Sequence, residues 1–476
     1  MPASADNGAR EAEDTPTTLL NLPWELIVQA LGKADLFSLC SAVCTCHEMQ
    51  SLVGASLGVA GRPHLSVRHL LAAGAQHSAF ACPSRGCIFT CGTDEHCRGY
   101  LGHGQPVESH DAPTHFLPTP IRSTLPRPTV ERFIAVATHS LHTLALTTAG
   151  AVYSFGHGDK GKLGHGDSEP RWHPTRINAL AGVRVVAIAA GEQHNLVLDE
   201  HGVVHTFGSG FSGKLGHGDQ HSRSVPCAIG TLHAVASVDA GACHSLLVTR
   251  DGALFTFGAG SMGQLGHGRQ CDELTPRKVQ SFEAGAICVA NAAGGTFHSL
   301  AVDRDGRCYS WGAGEARERT STWPGGWLGH RSLDTELVPR CIHALDTVRV
   351  LNVVASSYHS MALATGGAVF TWGDGDGGKL GHDDGGRMHW VPRRVASMDG
   401  QRAVAICAGE SHSLCLLDDG RILGWGAGHA IGLTHEAMTR QDMTPSSWGS
   451  AGNYEWAPGD MLRSWQAHSP SEVRLV

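Results

Sequence analysis

Residues 244–258 have the sequence HSLLVTRDGALFTFG, and this stretch decides the fold. Its two apolar runs are rich in β-branched and aromatic residues, and Asp251-Gly252 between them supplies the positive-φ position of a tight turn. The stretch therefore predicts an antiparallel β-hairpin. A Leu-Gly-His anchor at Leu265 and a Pro-x-x-Val marker at Pro276 follow it.

This unit recurs seven times along the chain. The histidine that opens the hairpin returns about every fifty residues, at His77, His142, His194, His244, His298, His359 and His412. The Leu-Gly anchors begin at Leu101, Leu163, Leu215, Leu265, Leu328 and Leu380, with Ile431-Gly432 as a degenerate seventh. The Pro-x-x-Ile/Val markers begin at Pro118, Pro174, Pro226, Pro276, Pro339, Pro392 and Pro470. Three independent markers thus count to seven, as expected for a repeat architecture.

The phase of the repeat predicts how the chain closes. The last marker, Pro470 to Val473, is followed by only three residues, whereas residues 65–77 supply a strand and a His motif with no marker before them. We therefore expect the two ends to complete one shared blade, which would leave no long free sheet edge. The predicted fold class is all-β, a seven-bladed β-propeller closed by its N- and C-terminal strands.

The repeats resemble the regulator of chromosome condensation repeat family, whose members form seven-bladed propellers. The resemblance covers about residues 65–476, and we take 61–476 as the propeller domain. The chain departs from the family pattern at Thr138 and Ser356, where the His motif loses its glycine, and at the seventh Leu-Gly anchor.

The repeat also accounts for motifs that would otherwise suggest chemistry. Gly-x-Gly-x-x-Gly occurs four times, from Gly156, Gly208, Gly258 and Gly373, and joins strands instead of opening a helix. Seven of the 31 histidines open hairpins and six more follow the Leu-Gly pairs, which favours a scaffold role. Cys82, Cys87, Cys91 and Cys97 contain no Cys-x-x-Cys knuckle. The sequence therefore predicts no catalytic residue, no metal site and no cofactor.

Composition narrows the choice of partner. The net charge is −8, and no basic stripe is available for nucleic acid. No apolar run reaches the roughly 20 residues of a membrane span, and the 15 scattered cysteines suggest reduced thiols. We expect a cytoplasmic or nuclear protein that binds neither nucleic acid nor membrane. Residues 1–18 are predicted to be a disordered acidic leader.

Residues 19–60 follow a helical period instead of the repeat. The order Leu-Pro-x-Glu-Leu, Asp-Leu and Val-Cys resembles the F-box, a small α-helical module that docks on the Skp adaptor of cullin-RING ubiquitin ligases. The resemblance implies that the adaptor is contacted by Leu22, Pro23, Leu26, Ile27, Leu36, Leu39, Val43 and Cys44. His47 stands where the family usually has Trp. An alternative is a helical cap packed on the propeller.

Three insertions into the repeat supply candidate partner-binding residues, because aromatic and arginine side chains on loops are typical interface anchors. They lie between Leu101 and Pro118, between Trp311 and Leu328, and between Ile431 and Pro470. The candidates are Arg317, Arg319, Trp323, Trp327, Trp448, Tyr454, Trp456 and Trp465. In the alternative interpretation, these tryptophans fold back against the propeller.

The two resemblances together imply a non-catalytic substrate receptor of a Skp-cullin-F-box ubiquitin ligase, with a protein substrate that the sequence does not identify. The propeller family also includes guanine-nucleotide exchange factors for Ran-type small GTPases, which is the main alternative. A third alternative is the family's ultraviolet photoreceptor branch, but its Gly-Trp-x-Trp-Gly run is absent, since Gly424-Trp425-Gly426 has a single Trp.

Overall fold

A computed structural model describes residues 67–83, 86–94, 99–104, 114–121, 131–315, 325–427 and 466–473. These residues form 28 strands in seven four-stranded sheets, so the predicted seven blades are confirmed. The strands are β1 (Leu71–Ala73), β2 (His77–Cys82), β3 (Cys87–Thr93) and β4 (Thr114–Pro120) in blade 1; β5 (Phe133–Thr138), β6 (His142–Thr147), β7 (Val152–Gly156) and β8 (Arg171–Arg176) in blade 2; β9 (Val185–Ala190), β10 (His194–Asp199), β11 (Val204–Gly208) and β12 (Arg223–Ala228) in blade 3; β13 (Val235–Ala240), β14 (His244–Thr249), β15 (Leu254–Gly258) and β16 (Glu273–Lys278) in blade 4; β17 (Val289–Gly294), β18 (His298–Asp303), β19 (Cys308–Gly312) and β20 (Glu336–Cys341) in blade 5; β21 (Val350–Ala355), β22 (His359–Ala364), β23 (Val369–Gly373) and β24 (His389–Arg394) in blade 6; and β25 (Ala403–Ala408), β26 (His412–Leu417), β27 (Ile422–Ala427) and β28 (Gln466–Val473) in blade 7.

Helices are short in the described part of the chain. One α-helical turn spans Gln280–Ala284, and 3₁₀ turns lie at Val67–Leu70, Asp159–Gly161, Asn178–Leu180, Phe211–Gly213, His343–Leu345, Thr365–Gly367, Asp376–Gly378 and Ala396–Met398. Within the described ranges, no helix has the length and apolarity needed to cross a membrane.

Each blade is an antiparallel meander whose strands pair in chain order. In blade 4 the predicted hairpin is confirmed, since β14 pairs with β15 from His244 opposite Gly258 to Val248 opposite Leu254. Gly252 in the connecting turn has a φ of 90°, a conformation that disfavours residues with a Cβ. The first strands of all seven blades line a central channel.

The predicted shared blade is wrong. The N-terminal strand β1 pairs with β2, and the C-terminal strand β28 pairs with β27, so blades 1 and 7 are each built from consecutive strands. The ring closes instead by contacts between neighbouring sheets, where β1 packs against β25 and β26. No hydrogen-bonded strand ladder crosses this seam in the described residues. Side chains hold it, together with a main-chain bond from the Glu410 N–H to the Gly74 carbonyl at 3.3 Å.

The seven hairpin histidines form a closed ring of hydrogen bonds, which we call the histidine belt. In each case Nε2 contacts a polar side chain that follows the belt histidine of the next blade. The pairs are His77 with Thr143 (3.2 Å), His142 with Asn195 (2.8 Å), His194 with Ser245 (2.9 Å), His244 with Ser299 (2.8 Å), His298 with Ser360 (2.8 Å), His359 with Ser413 (2.8 Å) and His412 with Ser78 (2.9 Å). The last pair joins blade 7 to blade 1.

The belt fixes the tautomer of its imidazoles. The Ser245 hydroxyl donates its proton to the Lys214 carbonyl at 2.8 Å, so it accepts a proton from His194. The Nε2 atom therefore carries the proton, and the Nδ1 atoms of all seven rings have no hydrogen-bond partner. Burial lowers the pKa of His77 to about 4 and that of His244 and His298 to about 3. The belt histidines are neutral donors at physiological pH.

A second set of histidines, those of the Leu-Gly-His anchors, ties the long loop of each of blades 1–6 to its own sheet. The His217 Nε2 atom lies 2.9 Å from the Thr206 hydroxyl, which also donates to the Leu215 carbonyl at 2.8 Å. Equivalent contacts with Thr or Ser are made by His103, His165, His267, His330 and His382. The predicted scaffold role of both histidine sets is confirmed.

The apolar core lies between blades and continues across the seam. One cluster of buried side chains combines Phe80 and Ile88 of blade 1, Phe133 of blade 2, and Leu414 and Leu416 of blade 7. Because each sheet buries both of its flanks against its neighbours, a single blade has no complete core of its own. The ring is therefore the folding unit that positions the loops.

The free energy of unfolding should decrease steeply as the pH falls. Below a pH of about 6.5 the unfolded histidines bind protons, whereas the buried belt imidazoles do not until the pH falls much lower, so the free energy of unfolding drops over that interval by roughly 1 kcal/mol per belt histidine per pH unit. We expect urea midpoints to fall sharply between about pH 7.5 and 5.5. His298→Gln retains a side-chain hydrogen-bond donor and removes one titrating imidazole. It should therefore reduce the number of protons taken up on unfolding by one, which lowers the slope of the unfolding free energy against pH. Equal midpoints at the two pH values would contradict this account.

The seam between blades 7 and 1 should open more readily than any other blade junction, because at the other six junctions the chain also runs directly from one blade into the next. Ser78→Ala and Ser245→Ala each leave a buried histidine N–H without an acceptor, at a cost of about 1–3 kcal/mol. In native-state hydrogen exchange we expect Ser78→Ala to speed exchange in β1 and β25. Ser245→Ala, the matched internal junction, should leave those strands protected, and the same exchange pattern in both variants would argue against a weak seam.

Candidate functional site

The central channel is smaller than a typical ligand pocket. Its cavity has a volume of about 150 Å³, below the roughly 300–1,000 Å³ of small-molecule sites. Its polar wall groups are also bonded between blades: the Asp239 carboxylate accepts the N–H of Gly294 at 2.8 Å, and the Asn291 side-chain amide donates to Asn352. A drug-sized ligand would exceed this volume, and a protein partner would have to bind at the two faces of the ring.

One face, which we call the upper face, carries two loops from each blade. They join the first strand to the second and the third to the fourth, and in blade 3 they comprise residues 191–193 and 209–222. The start of β10 pairs with the end of β11, His194 opposite Gly208, and the Ser209 N–H donates to the Gln193 carbonyl at 2.8 Å. Both loops therefore lie at the same end of the sheet. The opposite, lower face carries the hairpin turns.

The channel mouth on the upper face differs from blade to blade. The two residues before each belt histidine are Ala75-Gln76, Ser140-Leu141, Glu192-Gln193, Ala242-Cys243, Thr296-Phe297, Ser357-Tyr358 and Glu410-Ser411. The main chain of these loops is fixed, as in the bond from the Asp374 N–H to the Tyr358 carbonyl at 2.9 Å. The residue type at these positions can therefore vary without disturbing the belt.

Two carboxylates give this mouth an acidic character. Burial and the nearby charge of Glu192 raise the pKa of Glu410, and burial with the charges of Glu410, Asp374 and Glu192 raises the pKa of Tyr358 to about 12. Neither Glu192 nor Glu410 forms an ion pair with another described residue. Such a mouth is suited to a cationic group of a partner.

His139 occupies the position of the motif glycine in blade 2, so the departure assigned to Thr138 lies one residue later. The Thr138 hydroxyl contacts His77 Nε2 at 3.1 Å and the His142 carbonyl at 2.7 Å, which makes it part of the belt. The His139 ring lines the channel, its Nδ1 atom has no hydrogen-bond partner, and burial lowers its pKa to about 4. It is a neutral wall residue.

All three insertions leave the ring on the upper face. They join the third strand to the fourth in blades 1, 5 and 7, between Thr93 and Thr114, between Gly312 and Glu336, and between Ala427 and Gln466. The predicted anchors Arg317, Arg319, Trp323, Trp448, Tyr454, Trp456 and Trp465 lie outside the described residues. The same holds for the adaptor-binding set Leu22, Pro23, Leu26, Ile27, Leu36, Leu39, Val43 and Cys44.

Trp327 is a core residue, so its prediction as a partner anchor is wrong. Its side chain is fully buried, and its indole N–H donates to the Ala313 carbonyl at 2.5 Å. Its own carbonyl accepts from Ser360 at 2.9 Å and from the Trp372 indole at 2.7 Å. Trp327 precedes the Leu-Gly anchor, the position of Lys214 and Lys379, and the fold-back interpretation holds for this residue.

Phe211 is a candidate partner anchor that the sequence pattern did not indicate. It lies in a 3₁₀ turn on the upper face with 66% of its surface exposed, and the Lys214 ammonium is 5.9 Å from its ring centre. The equivalent turns of other blades carry Asp159, Ser261 and Asp376. A phenylalanine at a position that is elsewhere polar is the signal that could have identified it, because large exposed aromatic residues often anchor partners.

The sequence comparisons place the chain among known repeat proteins. The family model described as "RCC1-like domain" matches residues 50–383, and "Regulator of chromosome condensation (RCC1) repeat" models match residues 366–416 and 403–434. The human E3 ubiquitin-protein ligase HERC2 is 35% identical over 295 residues, 62% of this chain and 5% of HERC2. The Ultraviolet-B receptor UVR8 of Arabidopsis thaliana is 32% identical over 298 residues, 62% of this chain and 65% of UVR8.

Solved structures show the same fold at lower identity. Human WBSCR16 superposes with a TM-score of 0.63 at 23% identity, covering 73% of this chain and 86% of WBSCR16. Prp20p of Saccharomyces cerevisiae superposes with a TM-score of 0.60 at 22% identity, covering 72% of this chain and 81% of Prp20p. The chain thus spans 5% of HERC2 and 65% of UVR8. The match over residues 50–383 and the seven blades make this chain a member of the RCC1-like domain family.

Proposed function

We propose that this protein is a non-catalytic interaction scaffold that presents the upper face of its propeller to a protein partner. In the finer form of the proposal, residues 19–60 dock on a Skp-type adaptor, so that the partner is the substrate of a cullin-RING ubiquitin ligase. Ubiquitin transfer would then belong to other subunits, and this chain would need no catalytic side chain.

One observation carries the interaction role: the strand ends that flank all three insertions lie on the same face as the variable channel mouth. The repeated histidines, by contrast, are bonded within the scaffold, as His194 is to Ser245 and His217 to Thr206. The repeated histidines therefore serve the scaffold, whereas the residues of the channel mouth, most of them half-buried, vary from blade to blade. Such a division favours recognition over catalysis.

The ligase assignment is supported by sequence. The order of Leu22-Pro23, Leu26, Leu36 and Val43 resembles the F-box, and the relative HERC2 is named an E3 ubiquitin-protein ligase. Joining an adaptor-docking module to a recognition propeller would bring a bound protein to the transfer machinery.

The adaptor contact can be tested with the intact chain and a purified Skp-type adaptor. We expect a complex by calorimetry, and Leu22→Ala with Pro23→Ala should weaken it at least about tenfold, because each buried apolar side chain contributes about 1.5–3 kcal/mol. Arg10→Ala in the leader is the control and should bind like the wild type. Absence of a complex would overturn the ligase role and leave the scaffold role standing.

The upper face can be tested through Phe211. Phe211→Ala should leave the free energy of unfolding within about 0.5 kcal/mol of the wild type, since the side chain is exposed. We expect it to lower recovery of the chain's partners in quantitative affinity capture, as truncating an aromatic anchor costs about 2 kcal/mol. Leu351→Ala, a 51% exposed residue at the start of β21 on the lower side, is the matched control. Equal recovery with both variants would count against the upper face.

The alternative function, nucleotide exchange on a Ran-type small GTPase, makes a separate prediction. If the chain were an exchange factor, the intact protein would speed release of bound nucleotide from the purified GTPase. Under the scaffold proposal the release rate stays at its intrinsic value. Binding to Gsp1p and histones is described for the yeast protein Prp20p, and at 22% identity that likeness extends to the fold alone.

A further inference from the structure

Blade 5 brings three potential metal ligands together at its lower outer edge. The thiol of Cys341, the imidazole of His343 and the carboxylate of Asp346 offer ligand atoms that all lie within 4.8 Å of one another. Cys341 Sγ is 3.7 Å from one oxygen of Asp346, and His343 Nδ1 is 3.0 Å from the other. Among the described residues this is the only such group.

The main chain that carries these ligands is held rigidly. Ile342, between Cys341 and His343, is buried and donates its N–H to the Cys308 carbonyl at 2.8 Å. Leu345 is also buried, and the Asp346 N–H donates to the His343 carbonyl at 3.2 Å. Ile342 and Leu345 are therefore fixed in the core, and the three polar side chains are directed outward together.

The same place in the neighbouring blades holds a cation and a carboxylate. Lys278 pairs with Glu283 at 2.8 Å in blade 4, and Arg394 pairs with Asp399 at 2.9 Å in blade 6. The strand register is the same, since Lys278, Cys341 and Arg394 lie opposite Phe255, Tyr309 and Phe370. The fold therefore brings residues i and i+5 of this edge into contact in all three blades.

Blade 5 keeps the carboxylate and lacks the cation. Cys341 stands at the Lys278 and Arg394 position, and His343 replaces Gln280 and Ala396. Within the described ranges, no lysine or arginine forms an ion pair with Asp346. The exchange turns a salt-bridge position into one lined by sulfur, nitrogen and oxygen donors.

We propose that Cys341, His343 and Asp346 bind a divalent metal ion of the zinc class, which supplies the positive charge that a side chain supplies in blades 4 and 6. Zinc accepts this mixture of donors, at about 2.3 Å to sulfur and about 2.0–2.2 Å to nitrogen and oxygen. Two ligand atoms of one ion then lie roughly 3–4 Å apart, so side-chain rotation alone suffices. Three protein ligands leave one tetrahedral position for water. This site is independent of the proposed scaffold function.

The test uses Co²⁺ as a spectroscopic probe on the intact, reduced and chelator-treated protein. In the wild type we expect thiolate-to-cobalt charge-transfer absorption as Co²⁺ is added. In Cys341→Ser this absorption should correspond to one bound Co²⁺ per chain less than in the wild type. His343→Ala and Asp346→Asn should each raise the half-saturating Co²⁺ concentration at least about tenfold, since even outer-shell partners of metal ligands contribute that much. Zn²⁺ should displace the cobalt, and it should raise the Tm of the wild type and not that of Cys341→Ser.

Two control variants separate the site from other thiols and from misfolding. Cys341→Lys rebuilds the Lys278–Glu283 pair of blade 4, so it should remove the same one equivalent of cobalt absorption as Cys341→Ser and keep the metal-free Tm. Cys288→Ser removes an exposed thiol outside the ligand group and should leave the band unchanged. Identical cobalt titrations of the wild type and Cys341→Ser, or undiminished affinity in both His343→Ala and Asp346→Asn, would overturn the proposal.

Discussion

The hydrogen bond from each belt histidine to the next blade is the constraint on which the ring depends. His194 of blade 3 donates to Ser245 of blade 4, and that hydroxyl donates back to the Lys214 carbonyl of blade 3. A buried N–H left without an acceptor costs about 1–3 kcal/mol, so each blade requires its neighbour in a fixed orientation. The loop before the Leu-Gly anchor is bound into the same network. This explains why the histidine, the following polar residue and the anchor recur together along the chain.

The sequence was sufficient for the number of blades and for the role of the repeated residues, but not for the way the ring closes. A repeat has no intrinsic starting point, so the strand before each His motif can be assigned to the unit on either side. Only hydrogen-bond register decides, and it pairs Leu71 with Phe80 and Val473 with Ile422. The expected shared blade followed from counting strands, whereas the actual seam is closed by His412, Ser78 and the surrounding apolar cluster.

The candidate site could be predicted only in part, again because strand pairing is not visible in the sequence. The three insertions were visible as departures from the repeat length, but their common face became evident only once the third and fourth strands of each sheet were known. Measured forward from Trp311, the repeat spacing places Trp327 inside an insertion. Counting back from Leu328 would have placed it at the buried position of Lys214. The unit lengths do not indicate Phe211, because this residue lies within a repeat of ordinary length.

The belt also determines where this propeller is able to bind anything. The ring that it closes encloses a channel of only about 150 Å³, below the volume of most small-molecule sites. The main-chain bonds that anchor the upper loops, such as Ser209 to Gln193, fix their path and leave residues such as Glu192 and Phe211 outside the network. Recognition is thus confined to a surface whose shape is rigid and whose side chains vary. A rigid loop surface loses little conformational entropy on association, which suits a protein-interaction role.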